Sequence, residues 1–334
     1  MAEHHTLVVG CGSIGERHAR CIKSTGRSEL SVCDSNLELL EVVGQRYGAA
    51  THRDFESALR DPEITAVVIA TPAHLHVAMA RDAIGAGKHV LIEKPLSTSL
   101  DGVTELIESR DESGKAALVA YTYRVNPAAM AARKFILGGD FGRPLHVIAV
   151  CGQDFPYYRP AYREIYFNDH ETGGGAIQDG LTHVANTVEW ILGPTDSLVC
   201  DAGHLALPGV AVEDAVNVQA RNGGTLVSYA FNLFQAPSEN FIHMHSKGGS
   251  VRIEFQAQRW GVWRRGDQVW TSYETPVAER DMLYVAEANE FLNHIEGHLS
   301  SLATLEEALQ TTRFNLAALQ SAQTGSRVRP ESVL

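Results

Sequence analysis

The 334-residue sequence contains only five cysteines (Cys11, Cys21, Cys33, Cys151 and Cys200), odd in number and without C-x-x-C spacing. That scatter excludes a disulfide framework and a zinc site of paired thiols, and it fits reduced, mostly buried thiols. No apolar run reaches membrane-spanning length, so no transmembrane helix is expected. A strand begins by Leu7, which leaves no room for a signal peptide, and the expected compartment is cytoplasmic. Basic residues are in deficit, 28 Lys and Arg against 40 Asp and Glu, for a formal charge of −12. A negative surface repels nucleic acid and anionic lipid, so no nucleic acid and no membrane is expected as a partner. An anionic cofactor stays possible, because backbone N–H groups at a helix N-terminus hold one locally. The fifteen histidines form no H-E-x-x-H and there is no G-x-S-x-G elbow, so neither a metal nor a serine nucleophile is expected.

What the chain does contain is a globular balance, 44% hydrophobic and 20% charged residues, enough to build a core in each of two domains. Over residues 1–125, β-like and helical stretches alternate. Leu7-Val8-Val9 ends in the turn Gly10-Cys11-Gly12-Ser13-Ile14-Gly15, and Leu30-Ser31-Val32-Cys33 closes on Asp34. Residues 66–70, 89–92 and 117–120 are continuously apolar, as central parallel strands are. The alternation predicts an α/β Rossmann domain, a doubly wound parallel sheet. After Pro127 the rhythm changes. A helix near 128–137 and a strand near 145–150 precede an aromatic loop and a helix over 176–192. β-like runs at 198–207, 214–220, 225–233, 241–246 and 251–255 follow, separated by glycine turns, with helices at 284–297 and 305–324. This predicts an antiparallel meander, so residues 126–334 form an α+β C-terminal domain with a large, open, mainly antiparallel sheet.

The glycine triplet alone is a weak signal, but it follows a strand and opens a helix. Gly10 then makes the tight turn, Gly12 lets backbone approach a pyrophosphate, and Gly15 permits close helix–strand packing, with Ser13 and Ile14 between them. Asp34 lies 19 residues after Gly15, at the end of the second strand, where a carboxylate accepts hydrogen bonds from ribose hydroxyls. Such a carboxylate repels a 2′-phosphate, and Ser35-Asn36 supply no arginine for one, so NAD is favoured over NADP. Cys11 reads as a filler beside the cofactor.

Three further segments are Thr71-Pro72-Ala73-His74-Leu75-His76, Gly87–Leu96 with its Glu93-Lys94-Pro95, and Gly173-Gly174-Gly175 leading to Asp179 and His183. With the glycine turn, they make the chain resemble the Gfo/Idh/MocA family of oxidoreductases, of the glucose–fructose oxidoreductase and inositol dehydrogenase type. The resemblance implies an N-terminal Rossmann domain and a C-terminal sheet domain for substrate binding and oligomerisation, as a homodimer or homotetramer. It places the cofactor near Thr71, Pro72, Glu93 and Lys94, and leaves His74 and His76 open between cofactor contact and helix capping or packing.

Oxidising a secondary alcohol requires a base within hydrogen-bond reach of its hydroxyl. Asp179 and His183 stand at i and i+4, one turn apart on a helix face. Spacing alone leaves open an ordinary surface pair; the glycine run and the family resemblance favour catalysis. The resemblance makes His183 the general base, Asp179 its assistant, and Lys94 the stabiliser of alkoxide charge. The loop 154–163, with Tyr158, Tyr162 and Arg163, reads either as a sugar-binding surface or as packing. Arg124 matches a family arginine that reaches substrate, although the preceding Thr122-Tyr123 departs from the commoner pattern. The expected function is an NAD(P)-dependent dehydrogenase acting on a CH–OH group of a cyclic polyol, sugar or sugar derivative. A keto-sugar reductase, a cofactor-retaining sugar oxidoreductase and a non-catalytic NAD-binding regulator are the alternatives.

Overall fold

The computed structural model describes residues 3–333 apart from 165, 277, 278 and 280. It divides into two units, Met1–Val125 with Ala278–Leu309, and Asn126–Val277 with Gln310–Leu334. In the first unit, β1 (His4–Val9), β2 (Ser28–Cys33), β3 (Ala50–His52), β4 (Ala66–Ile69), β5 (His89–Glu93) and β6 (Ala117–Ala120) form a parallel sheet. Their order is β6-β5-β4-β1-β2-β3, as in a Rossmann fold. The order reverses between β1 and β4, which is where such sheets bind ligands. The continuous apolar runs are explained by two covered faces: Leu7, Val9, Val67 and Ile69 enter one core, and Val8, Ala66 and Val68 the other. Helix Leu37–Tyr47 shows how local sequence sets an element's ends. The Asn36 side chain accepts the N–H groups of Glu38 and Leu39, and Gly48 closes the helix in the left-handed region.

A single boundary at 125/126 does not describe the contacts, because the segment after 278 returns to the first unit. Helix Met282–Ile295 lays Ala288 and Phe291 into the core that holds Ala19 and Ile22. The short strand Ala303–Thr304 then pairs antiparallel with β6. An apolar helical stripe near a chain end carries no mark of which core it enters, so its assignment was not legible.

The second unit is built on β7 (His146–Asp154), β8 (Ser197–Gly203), β9 (Ala215–Asn222), β10 (Thr225–Asn232), β11 (Phe234–His245), β12 (Gly249–Glu254), β13 (Arg259–Arg264) and β14 (Thr271–Glu274). The sheet is large and mainly antiparallel, in the order β14-β13-β12-β11-β7-β10-β9-β8. It is not the simple meander expected: β7 lies between β10 and β11 and runs parallel to β10. β13 and β14 also went unrecognised, since their charged and polar residues mask the strand pattern. Helix Thr182–Leu192 joins the core of this unit through buried polar contacts. Asn186 Nδ2 donates to Thr311 Oγ1 (3.0 Å), and the Thr311 hydroxyl donates to Glu189 Oε2 (2.8 Å). No described helix is long and apolar enough to cross a membrane.

Phe291 is fully buried in the returning helix. Phe291→Ala is expected to destabilise the protein by about 3–5 kcal/mol, read as a lowered midpoint in denaturant unfolding. A loss below about 1 kcal/mol would contradict the placement of this helix in the first core.

Candidate active site

The turn after β1 is shaped by backbone contact. Gly10 has φ 93°, and a Cβ there would stand 2.6 Å from the Ala70 carbonyl oxygen. A Cβ on Gly15 would stand 1.7 Å from Gly10 O, so helix Ser13–Ser24 can leave the turn only with glycine at that position. Gly12 differs: a Cβ there meets nothing within 4 Å. That open space, at the N-cap of a helix, is the cradle a pyrophosphate needs. Asp34 is anchored beside it, with Cys11 N–H donating to Oδ2 (2.5 Å) and Asn36 N–H to Oδ1 (2.7 Å). A carboxylate has about four acceptor positions, so those left over suit ribose hydroxyls. The residues present therefore fit a dinucleotide. Burial, reinforced by the Asp34 charge, pushes the Cys11 thiol up to about 12, which makes it inert packing.

At the end of β5, the Lys94–Pro95 peptide is cis. Lys94 N–H donates to Glu93 Oε2 (3.0 Å), and Glu93 Oε1 lies 2.7 Å from His18 Nε2. The Glu93 side chain is buried and both its oxygens hold protein groups, so it braces the strand end where its cofactor contact is expected. For His76, left open between cofactor contact and packing, the contacts are those of packing. It is 1% exposed, with Nδ1 2.9 Å from Pro95 O and Nε2 2.8 Å from Thr71 O. Burial pushes its pKa down, opposed by those two carbonyls. It ties the Thr71-Pro72 turn to the Lys94 segment. His74, by contrast, is exposed beside that turn.

In the second unit, the segment opened by Gly173-Gly174-Gly175 is not α-helical throughout. Residues Ala176–Leu181 form a π turn, and the α-helix starts at Thr182. Asp179 lies in the π turn and His183 in the first turn of the helix. Tyr166 O–H donates to Asp179 Oδ1 (2.8 Å). The π turn is held from below by Glu213, whose Oε1 accepts Ile177 N–H (2.8 Å) and whose Oε2 is 2.5 Å from His170 Nε2. Glu213, partly offset by burial, raises the His170 pKa. Such π turns concentrate at functional sites. Sequence reasoning missed Tyr166, His170 and Glu213, which carry no motif.

The loop residues divide. Tyr158 is exposed. Tyr162 is 1% exposed and its hydroxyl donates to Pro208 O (2.9 Å), which corrects its substrate role to packing. Arg163 is exposed, with Nε donating to the same carbonyl (2.7 Å) and its guanidinium over the Tyr162 ring. Arg124, expected at the substrate, has a structural partner. It is 2% exposed, and its Nη1 donates to Glu307 Oε2 (2.6 Å), joining the turn Thr122–Val125 to the returning segment.

These features define an NAD-binding oxidoreductase, and comparison with known proteins agrees. Residues 4–121 match the oxidoreductase family model with an NAD-binding Rossmann fold, and residues 129–252 match the Gfo/Idh/MocA C-terminal domain. The chain belongs to the Gfo/Idh/MocA family. It is 27% identical over 319 residues to 1,5-anhydro-D-fructose reductase of Ensifer adhaerens, covering 94% of each chain. With levoglucosan dehydrogenase of Pseudarthrobacter phenanthrenivorans it shares 32% over 163 residues, 48% of this chain and 42% of that one. Inositol 2-dehydrogenase of Acidothermus cellulolyticus is 30% identical over 188 residues, 55% of this chain and 52% of that one. A solved structure of levoglucosan dehydrogenase in complex with NADH and levoglucosan shares the fold. Its TM-score is 0.88 at 22% identity, over 98% of this chain and 99% of that one.

The open space at Gly12 separates folding from cofactor binding. Gly12→Ala should leave the unfolding midpoint nearly unchanged while weakening NAD binding at least about tenfold by calorimetric titration, because the methyl occupies the pyrophosphate cradle. Unchanged affinity would remove Gly12 from the cofactor site.

Proposed function

We propose that this oxidoreductase acts on a secondary alcohol of a cyclic polyol, sugar or sugar derivative, with Lys94, Asp179 and His183 carrying the reaction. The observation that carries the reading is the Asp179/His183 pair, set across a π turn and a helix start, with Asp179 held by Tyr166. The relatives named above act, by their names, on an anhydro-sugar, a keto form of one and an inositol, which supports the substrate class.

Gly10, Gly12, Ser13, Ile14, Gly15, Asp34, Thr71 and Pro72 would hold NAD, which when bound supplies the hydride acceptor. Asp34 disfavours the extra phosphate of NADP by charge, so NAD is the proposed cofactor. His183 takes the hydroxyl proton, because an imidazole exchanges protons at cellular pH. Asp179 supports the resulting imidazolium or holds a neighbouring hydroxyl. The Lys94 ammonium stabilises charge that develops on the reacting oxygen. Tyr158 and Arg163, exposed on their loop, are the proposed sugar contacts. The free, mostly buried thiols support a reducing, cytoplasmic compartment. The family resemblance is the ground for proposing that the second unit assembles into a homodimer or homotetramer.

The reading is tested by incubating the protein with NAD and a panel of inositols, hexoses, anhydro-sugars and uronic acids, and following reduced cofactor by absorbance. With the substrate found, His183→Ala is expected to lower kcat by about 10²–10⁴, and Lys94→Ala by a comparable factor, with NAD affinity within about twofold. A variant with full activity would remove that residue from the mechanism. NAD binding without turnover of any substrate would favour the regulator. Asp34→Ala should bring the NADP/NAD preference at least about tenfold closer to parity.

A further inference from the structure

Glu287 is fully buried in the returning helix, and neither of its carboxyl oxygens has a hydrogen-bond partner among the described residues. A buried acid without partners is costly to keep charged, so its presence calls for a physical cause. One oxygen of Glu287, one oxygen of Glu93 and a ring nitrogen of His18 lie within 4.8 Å of one another. Glu93 is the carboxylate that holds the Lys94 N–H.

We propose that Glu287 and Glu93 form a one-proton carboxyl pair, closed by His18, and that Glu287 is thereby a positioning residue for Lys94. Two adjacent carboxylates in an apolar site do not ionise together. Glu93 Oε2 accepts the Lys94 backbone N–H, and its Oε1 lies 2.7 Å from His18 Nε2, contacts that suit Glu93 as the ionised partner with His18 donating. Glu287 then carries the proton. Burial first, and the Glu93 charge second, raise its pKa well above the ordinary 4.5. The groups around the pair complete the picture. Arg17, His18 and Cys21 come from helix Ser13–Ser24. The Arg17 guanidinium lies over Tyr284, a neighbour of Glu287 on its own helix, and His18 meets that ring edge-on at 5.4 Å. Arg20 is held by Asp281, and Arg124 in the adjoining turn by Glu307. Ionising Glu287 would put a second negative charge against Glu93 and pull its hold from Lys94.

The proposal rests on the functional reading for Lys94, and the experiment separates the two. It uses the full chain with Glu287→Gln, a neutral isostere, or Glu287→Leu if the amide does not yield soluble protein. The first quantity is the thermal midpoint and needs no substrate. The folded protein keeps a proton that the unfolded chain releases, so wild-type stability falls as pH rises above the unfolded carboxyl value, and the variant escapes that fall. The gap in favour of the variant is expected to widen between about pH 5 and pH 8; a constant gap overturns the pair. The second quantity is the pH profile of Lys94. It is read as kcat with a substrate the wild type oxidises, and as the rate of Lys94 acylation by an amine reagent, scored by mass spectrometry. In Glu287→Gln, the alkaline fall in kcat that Glu287 ionisation causes should move up by at least about one pH unit with KM for NAD unchanged, whereas the acylation profile should move to lower pH, because the variant lacks the second negative charge that favours the Lys94 ammonium. Profiles that superimpose on wild type overturn the positioning role. If the wild type oxidises nothing, the functional reading fails, and the acylation profile decides this proposal alone.

Discussion

The structure depends first on one backbone contact: helix Ser13–Ser24 passes so close to Gly10 that a Cβ on Gly15 would lie 1.7 Å from its carbonyl oxygen. This approach lets the chain reverse from β1 into a helix at the β1/β4 switch point. It leaves the space at Gly12 open and points the start of the helix at it. Asp34, on β2, ties in through Cys11 N–H, so strand end, turn and helix start are one assembly.

The same helix carries His18 to Glu93, and Glu93 holds Lys94. His76 anchors Pro95 from the other side, and the returning helix supplies Glu287 and Tyr284 to the same cluster. The lysine is therefore placed by buried polar groups drawn from four separate stretches of sequence. In the second unit Tyr166 O–H donates to Asp179, and Glu213, in contact with His170, holds the π turn that carries it. Both candidate reactive groups sit on backbone that is not free to drift, which is what proton handling at a defined distance requires.

Much of the first sheet was legible because its signals are local. Buried parallel strands read as apolar runs, glycine spacing reads as a turn, and Asp34 falls where β2 ends. The second sheet was legible as a class but not in its order, since nothing in the sequence of β7 states that it slots between β10 and β11. The Asp179/His183 spacing was seen, whereas the π turn beneath Asp179 was not, because a π turn and an α turn share the same residue types. Tyr162 was read from residue type as either a sugar contact or packing, and Arg124 was read as a substrate contact from the family resemblance. Burial and their Pro208 and Glu307 partners make them structural. Glu287 could have been noticed, as an acid four residues before Phe291 on the buried stripe of its helix.

The proposed reaction passes hydride directly from a C–H(OH) carbon to a bound nicotinamide. The most direct measurement uses a polyol or sugar deuterated at that carbon and analyses the recovered reduced cofactor by mass spectrometry. Deuterium on the reduced cofactor, with a slower turnover than the unlabelled substrate gives, is the expected result. Cofactor that binds but stays oxidised, or that is reduced without the label, would contradict it.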